Sequence, residues 1–224
     1  MPMKYKPVKT PVTSSGKEAR LEQKDLRSKQ AALNKQRSRT MENAVAKYFG
    51  GNRVPLSGAS RSWKGDVIVP LICDSVVQGN LLIECKYREK AIRIDTLWFP
   101  KIDNEVYVTR SVFGILLWRY SLDTTYYVAV TDSNMQLLIQ YLKKVSTTTA
   151  QLVEEVYVNR VIDTSLVKKN KVNYSTSVSK SLVEDLLTKR GLPFTYAWVN
   201  ISGHDVMLCR GDVMRSIITL AYDV

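Results

Sequence analysis

The sequence predicts an α/β protein in which a mixed central sheet is flanked by helices, with a basic amino-terminal arm and a carboxy-terminal strand-strand-helix extension. Apolar runs of strand length alternate with segments of helical periodicity, which is typical of this class. The 224 residues are 45% hydrophobic, enough for one sizeable core. Eleven Lys or Arg and three acidic residues lie in positions 1–40, so +8 of the net charge of +12 belongs to this part of the chain.

The basic arm is predicted for residues 1–38. Its first 15 residues contain three prolines and no apolar periodicity, which indicates disorder. The segment from Lys17 onward is rich in helix formers but so polar that a helix there would be exposed. An arm of this charge attracts polyanions, of which nucleic acid is the commonest, and the alternative is a solvated tail.

The first helix of the folded core is predicted in the sequence TMENAVAKYFGG. Thr40 is suited to cap it, Met41, Val45 and Phe49 share one face, and the glycine pair at 50–51 is suited to end it. This helix opens a predicted core domain of residues 39–145.

A loop from Asn52 to Gly65 and a pair of strands are predicted next. The strands are Asp66–Leu71 and Leu81–Tyr87, and the Gly79-Asn80 segment between them is suited to a hairpin turn. A helix then begins or is interrupted near Pro100. The core is completed by two strands and a helix capped by Asp132 or Ser133, at Val112–Tyr120, Thr125–Thr131 and 134–145.

Residues 146–224 are predicted to begin with a polar connector and to end in two strands and a helix, within FTYAWVNI, DVMLCR and GDVMRSIITLAY. A shift of 80 positions brings Trp118 onto Trp198 and Asp132 onto Asp212. Two explanations stay open: an internal duplication, or a similar element arising from pattern alone.

Cysteine and histidine usage excludes two kinds of site. Cys73, Cys85 and Cys209 are too few and too scattered for a disulfide framework, and His204 is the single histidine, so no zinc spacing occurs. No apolar run reaches the roughly 18 residues that cross a bilayer. We therefore expect a soluble, intracellular protein.

The strand LLIECKYR carries charge on one face. Successive side chains of a strand alternate, so Glu84 and Lys86 face one side while Ile83, Cys85 and Tyr87 face the other. A buried carboxylate requires a compensating cation, which Lys86 or a metal ion would supply.

Asp66 opens the neighbouring strand, where it could reach the same face as Glu84. Two carboxylates, the backbone carbonyl of Cys85 and water form an oxygen-rich site suited to Mg²⁺, for which Mn²⁺ is expected to substitute. With Lys86 steadying developing charge, the site would hydrolyse phosphodiester bonds. The alternatives are a surface ion pair for Glu84 and Lys86 and a turn role for Asp66. The Glu-x-Lys spacing alone is not specific, since it recurs in the polar segment Glu22-Gln23-Lys24.

The loop between residues 53 and 64 has the composition of a contact with a nucleic-acid backbone. Its small residues permit close approach, and its hydroxyl and basic side chains suit phosphates. The predicted DNA-contacting residues, including basic residues outside the loop, are Arg53, Ser57, Ser60, Arg61, Lys64, Arg88, Arg37 and Arg39.

Five motifs in order, over about residues 39–131, resemble the PD-(D/E)xK nuclease superfamily, and within it the archaeal-type Holliday junction resolvases and their viral relatives. They are Glu42, Arg53, SGAS at 57–60, Gly65-Asp66 and ECK at 84–86. The departure is Gly65, where the motif has proline. The resemblance implies a restriction-endonuclease-like core.

The same resemblance implies roles for individual residues. Asp66 and Glu84 would hold the metal, Lys86 would be the catalytic lysine, and Glu42 would complete or support the metal site. Arg53 would hold a phosphate, and Ser57, also counted among the catalytic residues, would lie near the scissile group.

The function implied is a metal-dependent, structure-selective DNA endonuclease, specifically a Holliday junction resolvase acting as a homodimer on four-way or branched DNA in a phage or viral setting. One alternative is a restriction-like or replication-associated nuclease acting on duplex or branched DNA. Another is a DNA-binding protein without catalysis.

Overall fold

The computed structural model describes residues 14–55, 65–88, 91–95, 97–121, 123–164, 175–188, 196–201 and 203–220. Within these residues the helices are α1 (Ser14–Phe49), α2 (Trp98–Thr109), α3 (Asp132–Val145), α4 (Thr147–Val158), α5 (Lys180–Thr188) and α6 (Gly211–Leu220). The strands are β1 (Asn52–Arg53), β2 (Val67–Cys73), β3 (Val76–Arg88), β4 (Ala91–Asp95), β5 (Phe113–Tyr120), β6 (Tyr127–Thr131), β7 (Ile162–Asp163), β8 (Ser175–Ser179), β9 (Tyr196–Ile201) and β10 (His204–Arg210). Among these helices none combines the length and the apolar character required to cross a membrane.

The chain divides into two compact units, Met1–Arg39 and Thr40–Val224. The first is described as its part of α1, where the side chains from position 21 to position 39 are exposed. Within it the Gln30 amide donates a hydrogen bond to Asn34 Oδ1 at 3.1 Å. The charged side chains of positions 21–39 are therefore presented to solvent.

The second unit contains an eight-stranded mixed sheet of order β1-β2-β3-β5-β6-β10-β9-β7 and a two-stranded sheet of β4 and β8. The parallel pairs β3–β5 and β7–β9 each require a crossover, and the other neighbours run antiparallel. The predicted class, a mixed central sheet flanked by helices, is confirmed.

The main sheet separates two apolar layers. The layer that we call the back core contains the end of α1 together with α3, α4 and α6. The layer that we call the front core contains α2, α5, β4 and β8. Strands β3, β5, β6, β9 and β10 therefore have buried side chains on both faces, whereas the buried side chains of β2 all lie in the back core.

The end of α1 belongs to the back core as predicted, but its beginning does not. Met41 and Val45 are fully buried there, and the helix ends at Phe49, where the Gly51 amide donates to the Ala46 carbonyl at 2.8 Å. Thr40 was expected to cap this helix, and that prediction is wrong. The helix is continuous through Thr40 because no residue in the polar segment before it breaks the helix.

The hairpin between β2 and β3 is confirmed, but its turn is not at Gly79-Asn80. The turn residues are Asp74 and Ser75, both with positive φ, 49° and 64°. Two such residues form the type of two-residue turn whose twist matches that of the strands. Gly79 therefore lies inside β3, opposite Leu71.

Two other predicted elements are confirmed with corrected boundaries. Pro100 lies in the first turn of α2, where its missing N–H is tolerated. The cap of α3 is Thr131, whose hydroxyl accepts from the Asn134 amide, so the prediction of Asp132 or Ser133 as cap is wrong by one or two positions. Strands β5 and β6 fall where the apolar runs predict them.

A polar connector was predicted to follow residue 145. For the first part of that segment the prediction is wrong, because α4 occupies Thr147–Val158. Ser146 caps α4 by accepting from the Thr149 amide at 3.2 Å. Strands β9 and β10 and helix α6 are confirmed where their sequences predict them. All of them extend the same sheet and the same two cores.

Candidate active site

Asp66 is held in place by its neighbour strand. It lies one position before β2, where its amide donates to the Ile83 carbonyl at 3.0 Å, and Val67 pairs with Ile83. Its Oδ2 accepts a hydrogen bond from the Cys85 amide at 2.8 Å. Because opposed residues of an antiparallel pair share a face, Asp66 and Glu84 lie on the same side of the sheet.

Glu84 is the buried centre of the site, with 4% of its surface exposed. Its Oε1 accepts from Lys86 Nζ at 2.5 Å and from Lys101 Nζ at 2.7 Å. Ile83 and Cys85 lie in the back core, so the predicted division of β3 into an apolar and a charged face is confirmed. Two ammonium groups on one carboxylate oxygen compensate most of the cost of burying that charge.

Helix α2 brings three residues that the sequence reasoning missed. Lys101 Nζ lies 2.7 Å from Glu84 and 3.7 Å from Glu105 Oε1, one helical turn onward. The Lys86 ammonium lies over the Trp98 ring, 5.2 Å from its centroid. The i,i+4 spacing of Lys101 and Glu105 was a usable signal, since the crossover between parallel strands had to lay this helix on one face of the sheet.

Helix α2 approaches the sheet closely because Gly114 on β5 has no side chain. A Cβ atom there would lie 2.6 Å from the Cγ2 atoms of both Ile102 and Val106. The Gly114 backbone amide donates to Asn134 Oδ1 at 2.6 Å, and the Asn134 side-chain amide donates to Asp103 of α2 at 2.5 Å, which links β5 to the helix. This packing holds Lys101 within reach of β3.

The pKa values of the two carboxyl groups are shifted in opposite directions. Burial, together with the nearby charge of Glu84, raises the pKa of Asp66 to about 6, and Lys86 and the Cys85 amide only partly oppose this. Burial also acts to raise the pKa of Glu84, but Lys86 and Lys101 outweigh it and hold the pKa below its ordinary value. At neutral pH Glu84 is ionised, and its negative charge opposes the ionisation of Asp66.

Cys85 is buried behind the site. Burial raises the pKa of its thiol well above the ordinary value, so the sulfur stays protonated at neutral pH. The side chain lies in the back core, on the opposite face of β3 from Glu84, and the backbone carbonyl stays a predicted metal ligand.

Glu42 and Arg53 form an ion pair, with Arg53 Nη1 donating to Glu42 Oε2 at 3.2 Å. The Glu42 charge contributes a smaller part of the raised pKa of Asp66, so the helix does bring this carboxylate near the site. The pairing joins α1 to β1 at the same end of the sheet. The expected roles of Glu42 in metal binding and of Arg53 in phosphate binding stay predictions.

The remaining predicted DNA contacts are only partly described. Ser57, Ser60, Arg61 and Lys64 lie outside the described residues. Arg88, at the end of β3, is exposed and donates to the Tyr87 carbonyl at 2.7 Å. Arg37 and Arg39 are exposed on α1, in the first unit.

The donor set decides which metal ion the site suits. Among the described residues no group of three or more Asp, Glu, His or Cys side chains is placed to hold a metal ion. The pair Asp66 and Glu84 fits Mg²⁺, which uses one or two protein carboxylates and retains several waters. Burial and the negative charge of Glu84 raise the pKa of Asp66, and a divalent cation bound between the two carboxylates would compensate both effects.

Gly65 precedes Asp66 in a conformation that only glycine adopts easily. Its φ is +77°, which proline cannot adopt, and it is buried. A Cβ atom there would lie 2.8 Å from Leu82 Cγ. This chain therefore enters β2 by a backbone path that requires glycine immediately before Asp66.

Comparison with protein-family models, curated proteins and solved structures finds no match to this chain.

We expect Gly65→Ala to lower the free energy of unfolding more than Gly203→Ala. Both glycines have positive φ, so each substitution costs about 1–2 kcal/mol of backbone strain. Only Gly65 also meets a neighbour, Leu82, which adds about 1–3 kcal/mol of overpacking, whereas Gly203 has nothing within 4 Å. Urea unfolding of both variants measures the difference, and equal losses would contradict the close packing at Gly65.

We expect the metal-free protein to lose about 1 kcal/mol of stability between pH 5 and pH 7 through Asp66. The folded state keeps a proton up to about pH 6 that the unfolded chain releases near its ordinary pKa of 3.8, so stability falls as pH rises through this window. The lowered pKa of Glu84 acts in the opposite direction, but its effect is complete above its ordinary value of 4.5.

The measurement is urea unfolding at both pH values in a chelator, for the wild type and Asp66→Asn. The variant retains an acceptor for the Cys85 amide and should show a smaller loss between the two pH values. Asp25→Asn, in the exposed part of α1, is the matched control. An identical pH dependence in the wild type and Asp66→Asn would show that Asp66 is not the titrating group.

Proposed function

We propose that this protein is a divalent-metal-dependent endonuclease with a restriction-endonuclease-like core that hydrolyses phosphodiester bonds of DNA. One observation carries the proposal: the buried Glu84 carboxylate lies beside Asp66 on the neighbouring strand and contacts two lysines at once. Lys101 also lies 3.7 Å from Glu105, so the whole group, Glu105 included, contains more acidic than basic side chains. Two carboxylates and two lysines gathered on one face of the sheet suit a reaction that handles a phosphate and its charge.

Each residue has a proposed role. Asp66 and Glu84 would hold Mg²⁺, which when bound would neutralise phosphate charge and lower the pKa of a bound water. Lys86, 20% exposed, would place its ammonium against the phosphate oxygen on which charge develops. Lys101 is a positioning residue, since it reaches the reaction only through the Glu84 oxygen it contacts.

Branched DNA, with a four-way junction first, is the proposed substrate. The order of the motifs supports it by resemblance, and the +8 charge of residues 1–40 supports binding to a polyanion. The homodimer implied by the same resemblance stays a prediction.

The test of substrate is cleavage of a synthetic four-way junction, a linear duplex of the same arm sequence and a single strand. Each is incubated with Mg²⁺ and separately with a chelator. Cutting of the junction alone supports the proposal, equal cutting of the linear duplex indicates a restriction-like or replication-associated nuclease, and binding without cutting indicates a non-catalytic DNA-binding protein.

We expect Glu84→Gln and Lys86→Met to reduce the cleavage rate by about 100-fold or more while junction affinity changes little. The substitutions remove a metal ligand and a charge-stabilising group, each worth several kcal/mol in the transition state. Single-turnover cleavage on a labelled junction and a binding titration in chelator measure the two effects.

The matched controls for these variants are Glu22→Gln and Lys24→Met. They change the same residue types at the same spacing in the exposed part of α1. Cleavage by both should stay within about twofold of wild type. Full activity of Glu84→Gln would remove Glu84 from the catalytic set, and loss of binding by both active-site variants would indicate a structural role instead.

We expect deletion of residues 1–38 to weaken DNA binding most strongly at low salt and to leave cleavage of bound DNA intact. If about four cations of the arm contact phosphates, the slope of log K against log salt should fall by about 3.6. Binding titrations from low to physiological salt provide the slope, and an unchanged slope would reduce the arm to a solvated tail.

A further inference from the structure

The second unit repeats one order of elements twice. The first copy is β3, β4, α2, β5, β6 and α3, and the second copy is β7, β8, α5, β9, β10 and α6. In each copy the first strand is parallel to the third, and the third and fourth strands form an antiparallel pair. The crossover helices α2 and α5 both cover the front core, and α3 and α6 both cover the back core.

Three of the four buried positions of α2 have buried equivalents in α5, 81 positions later. The fourth, Phe99, corresponds to Lys180, which is exposed. The three pairs are Ile102 with Val183, Glu105 with Leu186, and Val106 with Leu187. The same offset of 81 carries Leu117 of β5 onto Trp198 of β9, and both lie in the back core.

Strand β6 and helix α3 match β10 and α6 at an offset of 79 positions. The offset changes because the β9–β10 hairpin is shorter by two residues than the β5–β6 hairpin. Three buried side chains of α3 coincide with three of α6. The pairs are Met135 with Met214, Leu138 with Ile217, and Ile139 with Ile218.

Structurally equivalent residues of the two copies are therefore not related by a uniform shift of 80 positions. Trp118 lies in the front core and Trp198 in the back core, so the two tryptophans are on opposite faces of the sheet. At the offset of 79, Asp132 coincides with Gly211 rather than with Asp212. The agreement of topology, faces and buried positions is what supports a duplication.

The two copies meet in an isologous manner, as two subunits do across a two-fold axis. Strands β6 and β10 pair antiparallel, and Ala129 is opposite Leu208, its own equivalent. Strands β4 and β8, in equivalent places, also pair antiparallel. Tyr127 of the first copy donates to Glu184 of the second at 2.6 Å, which adds a polar contact to the junction.

The second copy lacks the residues of the candidate active site. Cys85 pairs with Leu117. Ile162 pairs with Trp198, which is the equivalent of Leu117, so Ile162 is the equivalent of Cys85. The residues on either side of Cys85, Glu84 and Lys86, therefore correspond to Val161 and Asp163. On the crossover helix, Lys101 and Glu105 correspond to Leu182 and Leu186, 81 positions later. Valine replaces the central carboxylate, and aspartate replaces the lysine.

We infer that the second copy occupies the place of a partner subunit and that each chain acts as a monomer with one active site, making one nick per binding event. This inference rests on the proposed nuclease function for its chemistry. The free edge of β6 in the first copy is paired with β10 of the second, and β4 is paired with β8, so a second chain cannot pair with the first copy at these strands. It replaces the expectation of a homodimer that delivers paired cuts.

The experiment mixes wild-type protein with Glu84→Gln at equal total concentration on a supercoiled plasmid with an extruded cruciform. Nicked and linear products are followed under single-turnover conditions with Mg²⁺. We expect nicked circles to form first, with a rate proportional to the wild-type fraction, so an equal mixture nicks at half the rate. Light scattering of the full chain in chelator should give a mass near 25.5 kDa.

Two results overturn the inference. One is the formation of linear product without a nicked intermediate, at a rate that falls to a quarter of the wild-type rate in the equal mixture. That result is expected when two active subunits must be present together. The other is a species of twice the chain mass. If the wild type cuts none of the DNA substrates, the proposed function fails instead, and the mass alone then decides between monomer and dimer.

Discussion

The burial of Glu84 is the constraint on which the site and much of its surroundings depend. A carboxylate inside a sheet is tolerated only where cations and hydrogen bonds replace the water it has lost. Lys86 comes from the same strand, but Lys101 comes from α2, so the helix must lie close to β3. That approach in turn requires Gly114 on β5, because any side chain there would collide with the helix. The position of one charge thus constrains the packing of a whole layer.

Asp66 shows a different balance on the neighbouring strand. Its hydrogen bond from the Cys85 amide stabilises the ionised form, yet burial and the Glu84 charge prevail and raise its pKa. Glu84 therefore keeps its charge near neutral pH, whereas the ionisation of Asp66 responds to its surroundings. Such a pair is common where a protein must accept a cation or pass a proton.

The sequence predicted those features of the fold that local pattern controls. Apolar runs located β5, β6, β9 and β10, and alternation along β3 separated Glu84 from Cys85 correctly. The hairpin turn was misplaced because Gly79-Asn80 is the stronger turn signal, whereas Asp74 and Ser75 adopt positive φ under the register that β2 and β3 impose. Strands β4 and β8 gave little signal, since they pair with each other across 79 intervening residues, 96–174. Lys101 was missed for a similar reason: its partner lies 17 positions away and meets it only through the packing of α2.

The two outermost strands of the main sheet, β1 and β7, are only two residues long in the described part of the chain. An exposed sheet edge offers unpaired amide and carbonyl groups to any passing strand, and long flat edges promote fibril formation. Here the eight-stranded sheet ends on each side in a two-residue strand, and a short edge strand limits such pairing. In a chain with 33 Lys or Arg against 21 acidic residues, these short edges and the like charge of neighbouring molecules both oppose edge-to-edge joining at high concentration.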